Sequence, residues 1–300
     1  HPSVLHAVGR LFGSVNRDLT YGDSPGLGAS APQLAKAELP GAAAELGLSL
    51  ADFDRGSPVD FEASPHARRF VIADGVLAAS GLVNISKFKT HQLTRLTGAV
   101  KNLYGCIPGA QKKLGHLAYP SAFEFSSYLV ALNLLLRERV RLHVMDGIMA
   151  MEGNGPQSGT PVHMGLLLLS TDPVALDAVM ASLVDLHPLR VPTAGPGRRW
   201  GLGTFDLHEI EVVGEPVQAL RNGDFRVPRG AGLDFSATGA LTVINNLIAR
   251  RPIIDARRCN RCGQCVEIRP VDPKAVEQKD GNRPPRHRYR EQSQDRRLAG

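Results

Sequence analysis

The sequence predicts an α/β fold in which a mostly parallel sheet is flanked by helices, with a small separate segment at the C-terminal end. Short β-type runs alternate with stretches of helical periodicity over the first 250 residues, as in proteins built from β-α units. The hydrophobic content of 43% is ordinary for a globular chain with a sizeable core. A tight run of cysteines then marks a segment of different character. We therefore expect an α/β domain over residues 1–250, a cysteine-bearing segment over 251–280 and a disordered basic tail over 281–300.

Apolar periodicity sets the expected elements in chain order. Spacing of three and four residues predicts helices over 2–16, 32–46, 93–104, 122–136, 173–185 and 241–250. Short runs of β-type residues predict strands at 70–72, 82–85, 141–145, 164–170 and 210–213, and residues 20–26 are expected to form a short strand that leads into a Gly/Pro loop. The helix at 173–185 has the clearest start, because Asp172 is a favourable N-cap and Pro173 fits the first helical position.

The distribution of charge argues against nucleic acid as a partner. The net charge is +6, but residues 281–300 contain six arginines against Glu291 and Asp295 and so carry most of it. This tail has no apolar periodicity and is expected to be disordered. No apolar run approaches the roughly 18 residues that a membrane span requires. Four cysteines and no signal-peptide pattern favour the cytoplasm.

A basic, glycine-containing stretch at 87–116 is the strongest candidate for a ligand site. It follows a predicted strand, and α/β proteins bind ligands beyond the carboxyl ends of their strands. Glycines let backbone N–H groups approach an anion, and lysines supply charge, so we expect a phosphate- or carboxylate-bearing small molecule. The alternative is a solvated basic loop with a structural turn. The candidate catalytic residues are Lys89, His91, Lys101 and His116, and the candidate anion-binding residues are Lys87, Gly105, Gly109, Lys112 and Lys113.

A second candidate lies at 146–159, which we expect to be a glycine-rich loop after a strand. Asp146 and Glu152 offer oxygen ligands for a hard cation. The alternative is that Asp146 caps a turn and that the glycines only shape the loop.

The cysteine run C-x₂-C-x₂-C at Cys259, Cys262 and Cys265 has the spacing of a bacterial-ferredoxin cluster motif. The fourth cysteine of that motif would stand at position 269, which is Arg269, followed by the expected Pro270. A 4Fe-4S cluster, a 3Fe-4S cluster, a zinc ion with His287 or water as a fourth ligand, and no metal are the alternatives. We regard 251–280 as a degenerate, ferredoxin-like iron–sulfur segment.

Three long stretches, followed by the cysteine run, carry a family resemblance: ISKFKTHQLTRLTGAVKNLYGCIPG, MDGIMAMEGNGPQSGTP and LLLSTDPVALDAV. In this order they resemble the prokaryotic family called domain of unknown function 362. Members often carry a C-terminal two-cluster ferredoxin segment, so the resemblance implies a 4Fe-4S cluster on Cys259, Cys262 and Cys265. The family usually has more chain before His1 and a second cysteine run, so we expect an N-terminally truncated chain with an incomplete motif.

These observations lead us to expect an iron–sulfur redox protein. It would bind an anionic small molecule in the basic pocket of the α/β domain and exchange electrons with a redox partner protein. An oxidoreductase would pass electrons between the iron–sulfur cluster and a ligand in the basic pocket. One alternative is a non-catalytic electron carrier or accessory subunit. Another is a metal-dependent enzyme that works at Asp146 and Glu152, with a vestigial ferredoxin segment.

Because the run has three cysteines, we expect anaerobically purified protein to hold substoichiometric, oxygen-labile iron. Mild oxidation should give a three-iron signal in electron paramagnetic resonance. Arg269→Cys should not restore a complete cluster, since the fourth cysteine of such a run serves the partner cluster. A full, air-stable four-iron cluster in the unmodified chain would contradict this expectation.

Overall fold

The computed structural model describes residues 1–15, 18–25, 29–119, 121–156, 158–228, 257, 259, 276–277 and 286–287. Backbone contacts divide the chain into two units, one formed by 1–66 with 70–234 and the other by 67–69 with 235–300. The described helices are α1 Pro2–Gly13, α2 Ser30–Lys36, α3 Leu39–Glu45, α4 Asp74–Ala78, α5 Ala99–Asn102, α6 Gly109–Ala118, α7 Ala122–Leu136, α8 Pro173–Leu183 and α9 Ala194–Arg199. Short 3-10 turns lie at Leu103–Cys106, Pro188–Arg190 and Val217–Leu220.

The described strands form one larger sheet and three two-stranded pairs. The strands are β1 Thr20–Tyr21, β2 Ser49–Leu50, β3 Gly56–Asp60, β4 Arg69–Ala73, β5 Leu82–His91, β6 Arg95–Thr97, β7 Val140–Asn154, β8 Ser158–Ser170, β9 Val276–Glu277 and β10 Arg286–His287. The larger sheet has the order β6-β5-β7-β8, and the small pairs are β1-β2, β3-β4 and β10-β9. Alternating helices and strands confirm a mixed α/β architecture.

The sheet is mixed, so the expectation of a mostly parallel sheet was wrong. β5 and β7 are parallel, whereas β5 pairs antiparallel with β6, and β7 pairs antiparallel with β8. The reason is the connection between strands. β5–β6 and β7–β8 are joined by tight turns, which reverse the chain, whereas β5 and β7 are joined by a long helical crossover.

The stretch 146–159 forms strand rather than the expected loop. β7 continues from Val140 to Asn154, and β8 pairs with it almost to the turn, with Asn154 opposite Ser158. A register shift between Gly147 and Met149 marks a bulge in this ladder. The glycines therefore sit within and at the end of a long hairpin, where a bulge and a tight turn use their conformational freedom.

The core that supports the sheet lies between it and α8. Phe88, Met145 and Met180 are fully buried there, from β5, β7 and α8 respectively. The helices α7 and α8 are apolar on nearly all sides, which explains why most of their residues are buried.

Local capping signals fix both of these helices at the residues expected from the sequence. The Ser121 hydroxyl accepts the Glu124 N–H at 3.1 Å and donates to the Glu124 carboxylate at 3.0 Å, so Ser121 is the N-cap of α7. The Asp172 carboxylate accepts the N–H groups of Val174 and Ala175 at 2.8 and 2.9 Å, which confirms the predicted N-cap of α8.

Two other local predictions were wrong. The expected helix at 93–104 contains the short strand β6 before α5, because the chain turns back after β5 and Arg95 adopts a left-handed conformation with φ +60°. The expected strand at 210–213 is irregular, and Val213 is 89% exposed. A strand needs a neighbouring strand for its backbone hydrogen bonds, and the described residues place none beside this stretch.

The C-terminal predictions fall largely outside the described residues. This holds for the helix at 241–250, for most of the ferredoxin-like segment at 251–280, and for most of the tail. Within the smaller unit, Arg286–His287 pairs antiparallel with Val276–Glu277, so the tail contributes one short strand where we expected no regular structure. Across the described helices, none combines the length and the apolar character that crossing a bilayer requires.

Replacing Asp172 should measurably destabilise the protein. Asp172→Ala removes the cap of α8 and also the acceptor for the Thr204 N–H, which lies 2.9 Å from the second carboxylate oxygen. We expect the free energy of unfolding in urea to fall by about 1 to 2 kcal/mol. Asp224→Ala is the matched control, because Asp224 is exposed. A change within about 0.5 kcal/mol is expected for it. Equal effects of the two variants would contradict the capping role.

Candidate functional site

Three lysines from different elements converge around one aspartate. Lys89 lies on β5, Lys101 on α5 and Lys112 on α6, and Asp23 lies on the segment after β1. Lys101 is close enough to both other lysines for their charges to act on it, and the charge of Asp23 acts on all three. We call Lys89, Lys101 and Lys112 the lysine cluster. All three were predicted from the sequence as site residues, and the structure brings them together.

The ring of Tyr104 forms one wall of the lysine cluster. The ammonium of Lys101 lies 5.9 Å from the ring centroid, and that of Lys112 lies 5.6 Å from it. Both distances fall within the range of a cation–π interaction. The Tyr104 hydroxyl donates to the Lys112 carbonyl at 2.8 Å, which fixes the ring against α6. A side chain at Gly115 would collide with this hydroxyl, so the glycine permits the contact.

The backbone at Gly105 leaves room for the Asp23 carboxylate to approach the lysine cluster. A Cβ atom at Gly105 would collide with the Asp23 carboxylate. Asp23 is held by the Ser24 N–H at 2.8 Å, and the Ser24 hydroxyl donates to the Ile107 carbonyl at 2.5 Å. Gly105 was predicted as an anion-binding residue, and its absence of a side chain leaves room for the Asp23 carboxylate.

A buried carboxylate from another helix positions α5. Asp177 of α8 accepts the N–H groups of Ala99 and Val100 at 2.6 and 3.2 Å. A Cβ atom at Gly98 would collide with this carboxylate. Asn102, next to Lys101, donates to Asn84 and to the Ile85 carbonyl at 2.8 and 3.0 Å. Lys101 is thus carried by a short helix that is tied to both α8 and β5.

Burial and mutual repulsion alter the acidity of the lysine cluster. Burial lowers the pKa of Lys101 to about 8, the charges of Lys89 and Lys112 act in the same direction, and Asp23 opposes them. Burial also lowers the pKa values of Lys89 and Lys112, again with Asp23 opposing the change. One acidic charge does not balance three ammonium groups.

The three ammonium groups differ in their hydrogen bonds. Lys112 is buried and donates to the Ser24 carbonyl. Lys89 and Lys101 have no hydrogen-bond acceptor among the residues that the structure describes. A partly buried ammonium group without a hydrogen-bond acceptor destabilises the folded protein unless a bound anion supplies that acceptor. A carboxylate or phosphate is the kind of ligand that would supply such acceptors.

The predicted cation site has a different arrangement. The Asp146 carboxylate accepts from the Lys87 ammonium at 2.9 Å, and Glu152 accepts from the Arg226 guanidinium at 2.5 Å. Each carboxylate is thus paired with a basic side chain. In the described part of the chain, no three His, Cys, Asp or Glu side chains are grouped to hold a metal ion.

The remaining predicted residues of the basic stretch are placed as follows. The His91 ring accepts the N–H groups of Leu93 and Thr94 at 3.2 and 3.3 Å, which shapes the turn between β5 and β6. Gly109 begins α6. The side chains of Lys113 and His116 lie outside the described residues.

The cysteines divide into a buried one and a C-terminal run. Cys106 is buried, and burial raises the pKa of its thiol to about 12, so it stays protonated near neutral pH. Cys259 is partly exposed and forms no disulfide, as a metal-ligating cysteine requires. The predictions for Cys262 and Cys265 lie outside the described residues.

Sequence reasoning missed the acidic and aromatic members of the site. Asp23 follows a short strand far from the basic stretch, Tyr104 lies in that stretch but was given no role, and Asp177 lies in the predicted helix at 173–185. The neighbouring glycines, Gly98 and Gly105, were the available signal, because each marks a place where another group approaches the backbone.

Comparison with known proteins gives one family and one curated relative. The family described as "Domain of unknown function (DUF362)" matches residues 1–182, a range that includes the whole lysine cluster and ends before Cys259. A Synechocystis sp. protein named thylakoid-associated protein sll1697 is 34% identical over 242 residues, which cover 76% of this chain and 73% of that protein. No solved structure matches. The chain therefore belongs to the family of domain of unknown function 362.

Proposed function

We propose that this protein binds an anionic small molecule in the lysine cluster and carries an iron–sulfur cluster on its C-terminal cysteines. The observation that carries the first part is the convergence of Lys89 and Lys101, whose ammonium groups have no acceptor among the described residues. A bound carboxylate or phosphate would supply those acceptors and reduce the repulsion between the lysines.

The second part is supported by the cysteine spacing. Cys259, Cys262 and Cys265 would hold the cluster, and the partly exposed, unpaired Cys259 is suited to this role. When bound, an iron–sulfur cluster supplies one-electron transfer. An oxidoreductase acting on the bound anion, with a separate redox partner protein, is the activity we propose. The cytoplasmic location stays a prediction, and the Synechocystis relative is named for association with thylakoids.

Two alternatives differ in what they require of the lysine cluster. A non-catalytic electron carrier or accessory subunit needs no ligand there, so binding of an anion separates it from the proposed function. A metal-dependent enzyme at Asp146 and Glu152 gains no support from the described residues, because Lys87 and Arg226 already neutralise these carboxylates.

Single substitutions in the lysine cluster should weaken anion binding. With sulfate as the probe in isothermal titration calorimetry, Lys89→Ala and Lys101→Ala should each raise the Kd about ten- to a hundred-fold, since each removes a charge-assisted contact. Lys36→Ala is the control, because Lys36 is exposed on α2 and distant in sequence from the cluster. Its Kd should be unchanged. Failure of the unmodified protein to bind sulfate would overturn the proposed site.

Sulfate binding should weaken as the pH rises through about 8, because Lys101 then loses its proton and the cluster loses a positive charge. Sulfate keeps a constant charge over this range. Carbon-13 NMR of labelled lysines should show Lys101 titrating near 8, and Lys89→Gln should raise the pKa of Lys101 by removing a neighbouring cation. An unchanged pKa of Lys101 in the variant would show that the two lysines do not interact.

A further inference from the structure

The short helix α5, which carries Lys101, is tied to β5 by one buried asparagine. The side-chain oxygen of Asn84 accepts from the Asn102 amide at 2.8 Å, and the amide nitrogen of Asn84 donates to the Ala99 carbonyl at 2.9 Å. Ala99 is the first residue of α5 and Asn102 is the last. Both ends of the helix therefore depend on the orientation of one side chain.

Two backbone carbonyls determine the orientation of the Asn84 amide. The Ile85 carbonyl accepts from the Asn102 amide nitrogen at 3.0 Å, so Asn102 presents a donor to Asn84. The Ala99 carbonyl can only accept, so the nitrogen of Asn84 must face it. The same nitrogen lies 2.8 Å from Nδ1 of His143. Because a donor already faces it, Nδ1 must be the unprotonated nitrogen of the His143 ring.

We propose that His143 is a proton-sensitive positioning residue for the lysine cluster. Its neutral ring accepts from Asn84 and holds that amide in the orientation that supports α5. A proton on Nδ1 would set two donors against each other. Turning the Asn84 amide over would remove this conflict, but its oxygen would then face the Ala99 carbonyl and its nitrogen the Asn102 amide. Protonation of His143 therefore releases α5 and with it the position of Lys101. This inference rests on the proposed anion site and names its regulation.

The surroundings of His143 keep its ring neutral near neutral pH. His143 is buried on β7, and burial lowers its pKa to about 4, while the charge of Asp172 at the start of α8 opposes the change. Arg137, which follows α7, lines the same small cavity as His143 and is a second charged group on that side. Because the pKa in the folded protein lies below the ordinary value, the stability that the neutral ring provides is lost as the pH falls from about 6.5 to about 4.

The end of α5 that His143 controls is the end that carries Lys101. Asp177 of α8 holds the first two N–H groups of the helix, and this contact does not involve Asn84. Burial raises the pKa of Asp177 to about 7, so its titration is separated from that of His143. A change that is centred near pH 4 at the end of α5 is thus the signature of the histidine.

Side-chain NMR of the full chain tests the inference. As the pH is lowered from about 7 to about 3, the amide signals of Asn84 and Asn102 should change together with the ring signals of His143, with one midpoint near 4. With sulfate as the probe, the Kd should rise about tenfold at one pH unit below this midpoint, where about a tenth of the molecules keep the neutral ring.

His143→Asn is the decisive variant, because asparagine supplies a neutral oxygen as acceptor and does not titrate. In this variant the Asn102 signals should not change near the midpoint, and the acid-induced rise in the sulfate Kd should be absent. His163→Asn is the matched control, since His163 is exposed on β8, and it should respond to acid as the unmodified protein does. Circular dichroism establishes the pH range in which each protein is folded.

The outcomes separate this inference from the anion site. An equal acid response in His143→Asn and in the unmodified protein would overturn the role of His143, as would titration of the ring without any change at Asn84 and Asn102. If the chain unfolds before the ring titrates, His143→Asn should move the acid-unfolding midpoint to lower pH and His163→Asn should not, and equal midpoints would again overturn the inference. An intact amide response in a protein that does not bind sulfate would overturn the anion site alone.

Discussion

The buried carboxylate of Asp177 is the constraint on which the site depends. It joins α8 to the first N–H groups of α5, and Gly98 makes this approach sterically feasible. Burial raises the pKa of Asp177 to about 7 despite these two hydrogen bonds. Without this acceptor, two buried backbone N–H groups would be left unsatisfied at a cost of about 1 to 3 kcal/mol each. Because Lys101 directly follows Val100 in α5, the same contact determines where its ammonium group can reach.

Charged side chains are paired with opposite charges in one part of the fold and are left in excess in another. Asp146 and Lys87 stand opposite each other on β7 and β5 and form an ion pair, and Glu152 receives both the backbone N–H and the guanidinium of Arg226. These charges are neutralised within the fold. Among the described residues, the lysine cluster shares the Asp23 carboxylate between three ammonium groups. A preorganised anion site requires excess positive charge in fixed positions, and here helices, a strand and a tyrosine ring hold that charge. The electrostatic cost of bringing the lysines together is then met during folding rather than at binding.

The two proposed functional features lie in separate parts of the sequence. The lysine cluster falls within residues 1–182, the range matched by the family, whereas Cys259, Cys262 and Cys265 follow that range. The proposed anion binding and the proposed cluster binding can therefore be tested separately. Variants in the lysine cluster address the first, and iron analysis of the cysteine run addresses the second.

The sequence by itself determined the local features of this protein. Capping residues fixed the starts of α7 and α8, apolar periodicity located most helices, and the basic stretch at 87–116 contained all three lysines of the cluster. Only the tertiary structure decided the direction of β8, the pairing of Asp146 with Lys87, and the approach of Asp23 and Asp177 to the glycines of the basic stretch. The physical reason is range. A cap or an apolar repeat acts within a few residues, whereas strand direction and charge pairing depend on groups that are distant along the chain and meet only after packing.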